Sequence, residues 1–206
     1  MSEPKNRAKK ITNIAPGVHH WSVHDDRIDT QSDSYAVEQK GKTTLIDPLP
    51  LEEAALKDLG TVEAICLTGS CHQRSAWRYR KELGVKVWAP EGAVGLDEQP
   101  DVWYKKGDAL PGGLKAIHAP GPTEVHYAFL SDRGTGAIFC ADVLMRDGEK
   151  VRFVTDEYQD DPKRTRETAK RFLEQKFGVL CFANGDPITK EPHSVIREAL
   201  KADREK

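Results

Sequence analysis

Apolar residues in this chain fall in short runs broken by turn residues, and most of the runs read as strands. Residues 17–23 and 34–38 are β-prone, and 42–46 follows after the turn Gln39-Lys40-Gly41. The third run ends in Asp47-Pro48, and proline cannot continue a central strand. Residues 51–59 predict a short helix closed by Gly60, 64–67 a compact apolar strand, and 68–74 a polar loop. Ser75 then stands where a helix over 76–83 needs its cap; Gly84 ends that helix, and 85–89 predicts another strand. Strand, helix and strand in this order indicate βαβ units and a sheet covered by helices.

The stretch 90–100 carries no periodicity, and strands resume at 114–118, 126–131 and 137–141, with Asp132-Arg133-Gly134 as the turn between the last two. The clearest helix spans 162–177, capped by Asp161 and apolar at Ala169, Phe172, Leu173 and Phe177 on one face. A strand at 179–183 and a helix at 193–202 close the chain. Each half is thus mostly strands followed by helices, an order that an α/β four-layer αββα sandwich accommodates. The expected organisation is one domain over 11–200 between charged, mobile tails at 1–10 and 201–206.

Composition narrows this picture without redirecting it. The chain has 206 residues, 38% hydrophobic and 31% charged, with a formal net charge of −2. That mixed balance gives no electrostatic reason for nucleic acid or an anionic membrane as partner. No apolar run reaches the length of a bilayer span. The first ten residues lack the apolar stretch of a secretory signal, so a cytoplasmic location is expected. Cys66, Cys140 and Cys181 lie inside apolar runs and read as buried thiols; Cys71 lies in the polar loop.

Five segments, in order, carry a resemblance to a known family. They are Thr44-Leu45-Ile46-Asp47, Thr68-Gly69-Ser70-Cys71-His72-Gln73-Arg74, Pro120-Gly121-Pro122-Thr123, Ala141-Asp142-Val143-Leu144 and Asn184-Gly185-Asp186-Pro187. They resemble the five landmarks of the metallo-β-lactamase superfamily: a strand ending in aspartate, T-H-x-H-x-D-H, P-G-H-T, G-D-x-L and H-G-x-P. The resemblance runs from about residue 11 to 200. It implies the αββα sandwich and hydrolysis of esters, thioesters, lactams or phosphoesters by one or two metal ions, usually zinc.

Transferred position by position, the family's ligands are mostly gone. Its first two histidines fall on Gly69 and Cys71, its aspartate and third histidine on Gln73 and Arg74. The later histidines fall on Pro122 and Asn184, and only the bridging aspartate survives, as Asp142. Glycine and proline offer no donor side chain, neutral amides are poor zinc ligands, and Arg74 cannot shed its charge. A binuclear centre is excluded on ligand count, so no catalytic residue and no cofactor is expected, with zinc as the alternative.

Weak candidates for a single ion are Cys71, His72, His126 and Asp142; adjacent Cys71 and His72 are expected to diverge. A metal-free Cys71 nucleophile is a further alternative. Arg74 is expected to replace the ion by pairing with Asp142 through hydrogen bonds. Asp47 is expected to accept backbone N–H bonds from the loop beginning at Thr68. His118 and His126 are expected to be structural. His19, His20 and His24, beside Asp25 and Asp26, read as solvent-exposed histidines at a strand edge or turn. Trp77 and Tyr79 are placed to cover the former site, and Trp103 and Tyr104 to line a pocket. The leading reading is a non-catalytic binding or scaffold protein whose partner is a small molecule or protein. The runner-up is an atypical hydrolase using a single metal or Cys71.

Overall fold

The computed structural model describes residues 3–204. Its first sheet has seven strands in sequence order: β1 (Thr12–Ala15), β2 (Val18–Asp25), β3 (Thr30–Gln39), β4 (Lys42–Ile46), β5 (Val62–Cys66), β6 (Lys86–Pro90) and β7 (Val102–Tyr104). β1 to β4 are antiparallel neighbours, and β4 to β7 run parallel. Between the parallel strands lie helices α1 (Glu53–Asp58) and α2 (Ala76–Leu83). The second sheet has the order β14-β11-β10-β9-β8, built from β8 (Ala109–Leu110), β9 (Leu114–His118), β10 (Tyr127–Ser131), β11 (Ala137–Phe139) and β14 (Val179–Cys181). A hairpin of β12 (Met145–Asp147) and β13 (Lys150–Arg152), and helices α3 (Pro162–Phe172) and α4 (Pro192–Arg204), complete the chain.

Strand alternation sorts the side chains into three apolar layers. Ala36, Leu45 and Ile65 face α1 and α2, packing with Ala55, Ala76 and Tyr79. Their strand neighbours Tyr35, Val37, Ile46 and Cys66 point the other way and meet Tyr127, Phe129, Phe139 and Cys181 between the sheets. Ala128, Ile138 and Leu180 leave the far face of the second sheet and pack on Ala169, Phe172, Ile196 and Ala199 of α3 and α4. The layers therefore run helix, sheet, sheet, helix, as the strand–helix order predicts.

Several boundaries differ from the sequence reading for local reasons. Helix α3 is capped by the Asp161 carboxylate accepting from Arg164 N–H, as predicted, but ends at Phe172; Phe177 is still buried, from the following turn. Ser75 does not cap α2 with its side chain; its hydroxyl donates to Glu3 instead. Strands β1, β7, β8 and the β12–β13 hairpin go beyond the sequence reading, each strand being only two to four residues long.

The 3–10 segment, expected as a mobile tail, is strapped to the body. Glu3 accepts from Arg78, Asn6 donates to His24 O, and Ala8 exchanges backbone bonds with Pro50 and Glu52 while burying its methyl group. Helix α4 continues through Arg204, into the expected second tail. The tips of both tails, residues 1–2 and 205–206, lie outside the described residues. Among the described residues, no helix is long and apolar enough to cross a membrane.

Candidate metal centre and its cleft

The centre is built on the ends of β4 and β5. Asp47 follows β4 with φ 46°, the left-handed region that aspartate tolerates better than most residues. That turn aims its carboxylate at the start of the next loop. Oδ1 accepts Thr68 N–H at 2.8 Å and Oδ2 accepts the Thr68 hydroxyl at 2.6 Å. The role expected for Asp47 is therefore met, with a side-chain bond added.

Because the Thr68 hydroxyl donates to Asp47, its oxygen is left to accept from His72 Nδ1, 2.8 Å away. Nδ1 therefore carries a proton whether the ring is charged or neutral, and Nε2 points to Asp142 Oδ2 at 3.1 Å. Cys71 Sγ approaches the same Asp142 oxygen at 3.8 Å. Asp142 itself sits on a short 3₁₀ turn, Ala141–Val143, after β11. One donor atom each from Cys71, His72 and Asp142 lie within 4.8 Å of one another.

The expected divergence of Cys71 and His72 thus fails. Residues Ser70–His72 form a 3₁₀ turn, in which successive side chains are about 120° apart. His72 rises from the buried side of Asp142, and Cys71 reaches it from the exposed side.

Charge at the centre follows from this packing. Burial alone would lower the His72 pKa, but the Asp142 carboxylate, with Cys71 and Asp47 adding, lifts it well above the usual histidine value. Burial would raise Asp142, and the opposing pull of His72, then His126 and Arg74, leaves it well below the usual carboxylate range. The two form an ion pair, buried on the His72 side and open to the cleft on the Asp142 side. His126 behaves oppositely: burial pushes it down to about 4. Its Nδ1 donates to Ala119 O at 2.9 Å, so its Nε2 is the bare nitrogen and accepts Asp142 N–H at 3.3 Å. That nitrogen is already engaged, and His126 stands outside the donor trio.

Arg74 does not take the place of an ion beside Asp142. With φ 39° it turns back into the protein, and Nη1 donates to Asp33 O (2.7 Å), Asp47 O (3.1 Å) and Ser34 Oγ (3.2 Å). Nη2 reaches Ala183 O at 3.5 Å. The guanidinium fork satisfies carbonyls contributed by both sheets, and its charge also helps hold the Asp142 carboxyl below the usual carboxylate range. The carboxylate assigned to it on sequence grounds is held by His72.

The remaining candidates sort out plainly. Asn184 Nδ2 donates to Gln31 O, and Pro122 lines the cleft without a donor. Trp77 and Tyr79 are core residues under α2, not a cover: Trp77 Nε1 donates to Gln73, and Tyr79 OH accepts Leu51 N–H. Tyr104 lies between the sheets with its hydroxyl on Leu67 O, and Trp103 is partly exposed; neither lines the cleft. His24 is exposed beside Asp29, but His20 is buried against Asp33 rather than solvent-exposed.

Above the trio the cleft is open, with a volume of about 700 Å³, within the range of small-molecule sites. One wall is the β2–β3 turn with Arg27 and Ile28; the other runs from Met145 to Gln159 and includes Arg152, Val154 and Tyr158. Ile28 and Tyr158 are 57% and 73% exposed, an apolar lip on a polar floor. None of the lining residues comes from the irregular 90–113 region; the walls come from segments whose short strands and loops carry no distinctive pattern.

A model of the metallo-β-lactamase superfamily matches residues 11–165. The chain belongs to that superfamily. No curated protein matches it in sequence. Among solved structures, it is similar to a metallo-β-lactamase from Pontibacter korlensis (16% identity, TM-score 0.74, covering 96% of this chain and 99% of that one). It is similar also to an archaeal superfamily protein from Sulfolobus tokodaii (19% identity, TM-score 0.73, 90% and 85% covered). A metallo-β-lactamase family protein from Thermus thermophilus aligns at 16% identity with a TM-score of 0.69, covering 94% and 80%. At these identities the likeness establishes the fold; the site must be argued from its own residues.

Proposed function

We propose that this superfamily member is a single-ion protein, in which Cys71, His72 and Asp142 hold one divalent transition-metal ion and the cleft hydrolyses an ester, thioester or related acyl substrate. The observation that carries this reading is the convergence of three different donors beneath an open cleft. His72 is oriented from behind by Thr68 and Asp47, the kind of outer support that metal-ligating histidines have. Three protein donors with a face open to solvent is the arrangement of catalytic zinc sites, and thiolate, imidazole and carboxylate suit zinc. When bound, such an ion supplies Lewis-acid polarisation of a substrate carbonyl.

The rest falls to the chain itself. Asp47, through Thr68, keeps the His72 proton on Nδ1 and presents Nε2. Met145, Val154, Ile28 and Tyr158 offer apolar surface to an acyl body, and Arg152 brings positive charge to the wall. The family's binuclear centre does not fit: Gly69 and Pro122 have no donor, Asn184 spends its amide on Gln31, and Arg74 faces carbonyls.

Those replaced positions favour a second reading, a non-catalytic protein that binds a small molecule or protein in the same cleft. The His72–Asp142 pair supports it, since each group satisfies the other without an ion. Metal analysis of protein purified without chelators, followed by zinc titration, separates the two. The single-ion reading expects a bound equivalent that Cys71→Ala and His72→Ala each release. Titration with no difference between these variants and the parent would leave the binding-protein reading standing.

A further inference from the structure

A second set of donor atoms meets where β2, β3 and the loop after β14 come together. His20 on β2, Asp33 on β3 and Asp186 on that loop each place one donor atom within 4.8 Å of the others. His20 and Asp33 are buried and Asp186 is exposed, and a surface depression of about 750 Å³ opens on His20 and Asp186. His20 Nε2 lies 2.6 Å from Asp33 Oδ1, while Asp33 Oδ2 is fixed by Gly185 N–H at 2.6 Å. The Gln31 amide bridges the carboxylates, 3.0 Å from Asp33 Oδ1 and 3.1 Å from Asp186 Oδ1.

Two carboxylates this close need a positive charge or a donor between them. Here the Gln31 amide fills that place. Turning the amide over exchanges its nitrogen for oxygen at the same point, which converts a hydrogen-bond donor into a fourth ligand. The set then comprises one imidazole nitrogen, two carboxylate oxygens and one amide oxygen, whose two negative charges match a dication. Nitrogen and oxygen donors without sulfur suit zinc or manganese. Donors about 2.1 Å from an ion stand roughly 3–3.4 Å apart, so the His20–Asp33 contact opens slightly as the ion replaces the shared proton.

We propose that His20, Asp33 and Asp186, with Gln31, form a second divalent-cation site, separate from the Cys71 centre and outside the family landmarks' ligand positions. Its ion joins the β2–β3 pair to the loop that carries Asn184, whose amide donates to Gln31 O and whose side chain lines the main cleft. The site is structural and borders the cleft without opening into it.

The test uses the full chain with zinc and, separately, manganese in equilibrium dialysis and thermal melts. Asp186 is exposed, so Asp186→Asn removes one ligand charge without emptying the core. Cys71→Ala should keep one bound equivalent and its metal-dependent rise in Tm. Adding Asp186→Asn to that variant should weaken binding roughly tenfold or more and abolish the rise. Should the Cys71 centre fail, the parent still holds one ion that Asp186→Asn loses and Cys71→Ala keeps. Cys71→Ala without a bound ion, or Asp186→Asn with binding unchanged, overturns the proposal.

Discussion

Replacing Asp47 by alanine should damage both the fold and the candidate centre, by an amount the structure lets us work out. Its buried carboxylate accepts two hydrogen bonds from Thr68 and lies 3.4 Å from His72 Nδ1. Hydrogen bonds to a charged group contribute about 1.5–3 kcal/mol each, so losing two costs about 3–6 kcal/mol. Alanine must also hold a φ of 46° in the left-handed region, which adds about 1 kcal/mol. Asparagine tolerates that conformation and keeps one acceptor, so Asp47→Asn should cost only about 1.5–3 kcal/mol. In a chain of this size each kcal/mol moves Tm by about 2–4 °C, putting the alanine variant roughly 10–25 °C below the parent. Urea unfolding followed by tryptophan fluorescence reads both variants. An alanine cost under about 1 kcal/mol, or asparagine as harmful as alanine, would refute the reasoning.

Other expectations follow from the same kind of geometry. Arg74→Lys should destabilise by about 2–4 kcal/mol, because a single ammonium cannot span the carbonyls of Asp33, Asp47 and Ala183; a neutral result in urea melts would contradict the fork's role. Gly185→Ala should cost about 3 kcal/mol or more, since a Cβ there meets Arg146 O at 2.2 Å with φ at 101°. Gly148→Ala, with φ 57° but open space around it, is the control and should cost only the backbone strain of about 1–2 kcal/mol. For pH, burial holds His126 at about 4 in the folded protein against 6.5 in the free residue. A depressed folded pKa means the unfolded chain binds more protons between those values, so this contribution is complete above 6.5 and lost as pH falls through 4. It amounts to about 3 kcal/mol, read as the stability of the parent relative to His126→Gln between pH 7 and pH 4. A difference that does not change across that window would remove burial as the cause.

How much of this is legible in the sequence depends on which force decides each feature. Alternation decides the strands, and runs such as 42–46 and 126–131 announce them because both faces are buried between helix and sheet. The five landmarks announce the fold. The Asp47–Thr68 bond is legible too, since an aspartate at a strand end has few other partners. Cys71 and His72 mislead because a three-residue 3₁₀ turn, invisible to periodicity, brings neighbours around one carboxylate. Arg74 misleads because its direction is set by a positive φ, and no side-chain pattern encodes that. The strap at 3–10 escapes because much of its grip is main-chain pairing around Ala8, which any composition permits. His20 looks like a surface histidine until the loop after β14, far away in sequence, closes over its partner Asp33.

The Arg74 fork has a consequence for how metal and folding are coupled. A structural ion would make the native state hostage to supply: remove the ion and the strand ends it gathers would spring apart. Here a covalently attached cation gathers them, so its local concentration never falls and no chelator can extract it. The apoprotein should therefore reach its native form in metal-free buffer, and an ion at the Cys71 centre or at the His20–Asp33–Asp186 site should add to that form only what mass action allows. Loading becomes an event that a finished protein can undergo repeatedly, and the cleft can be emptied and refilled without passing through the unfolded chain.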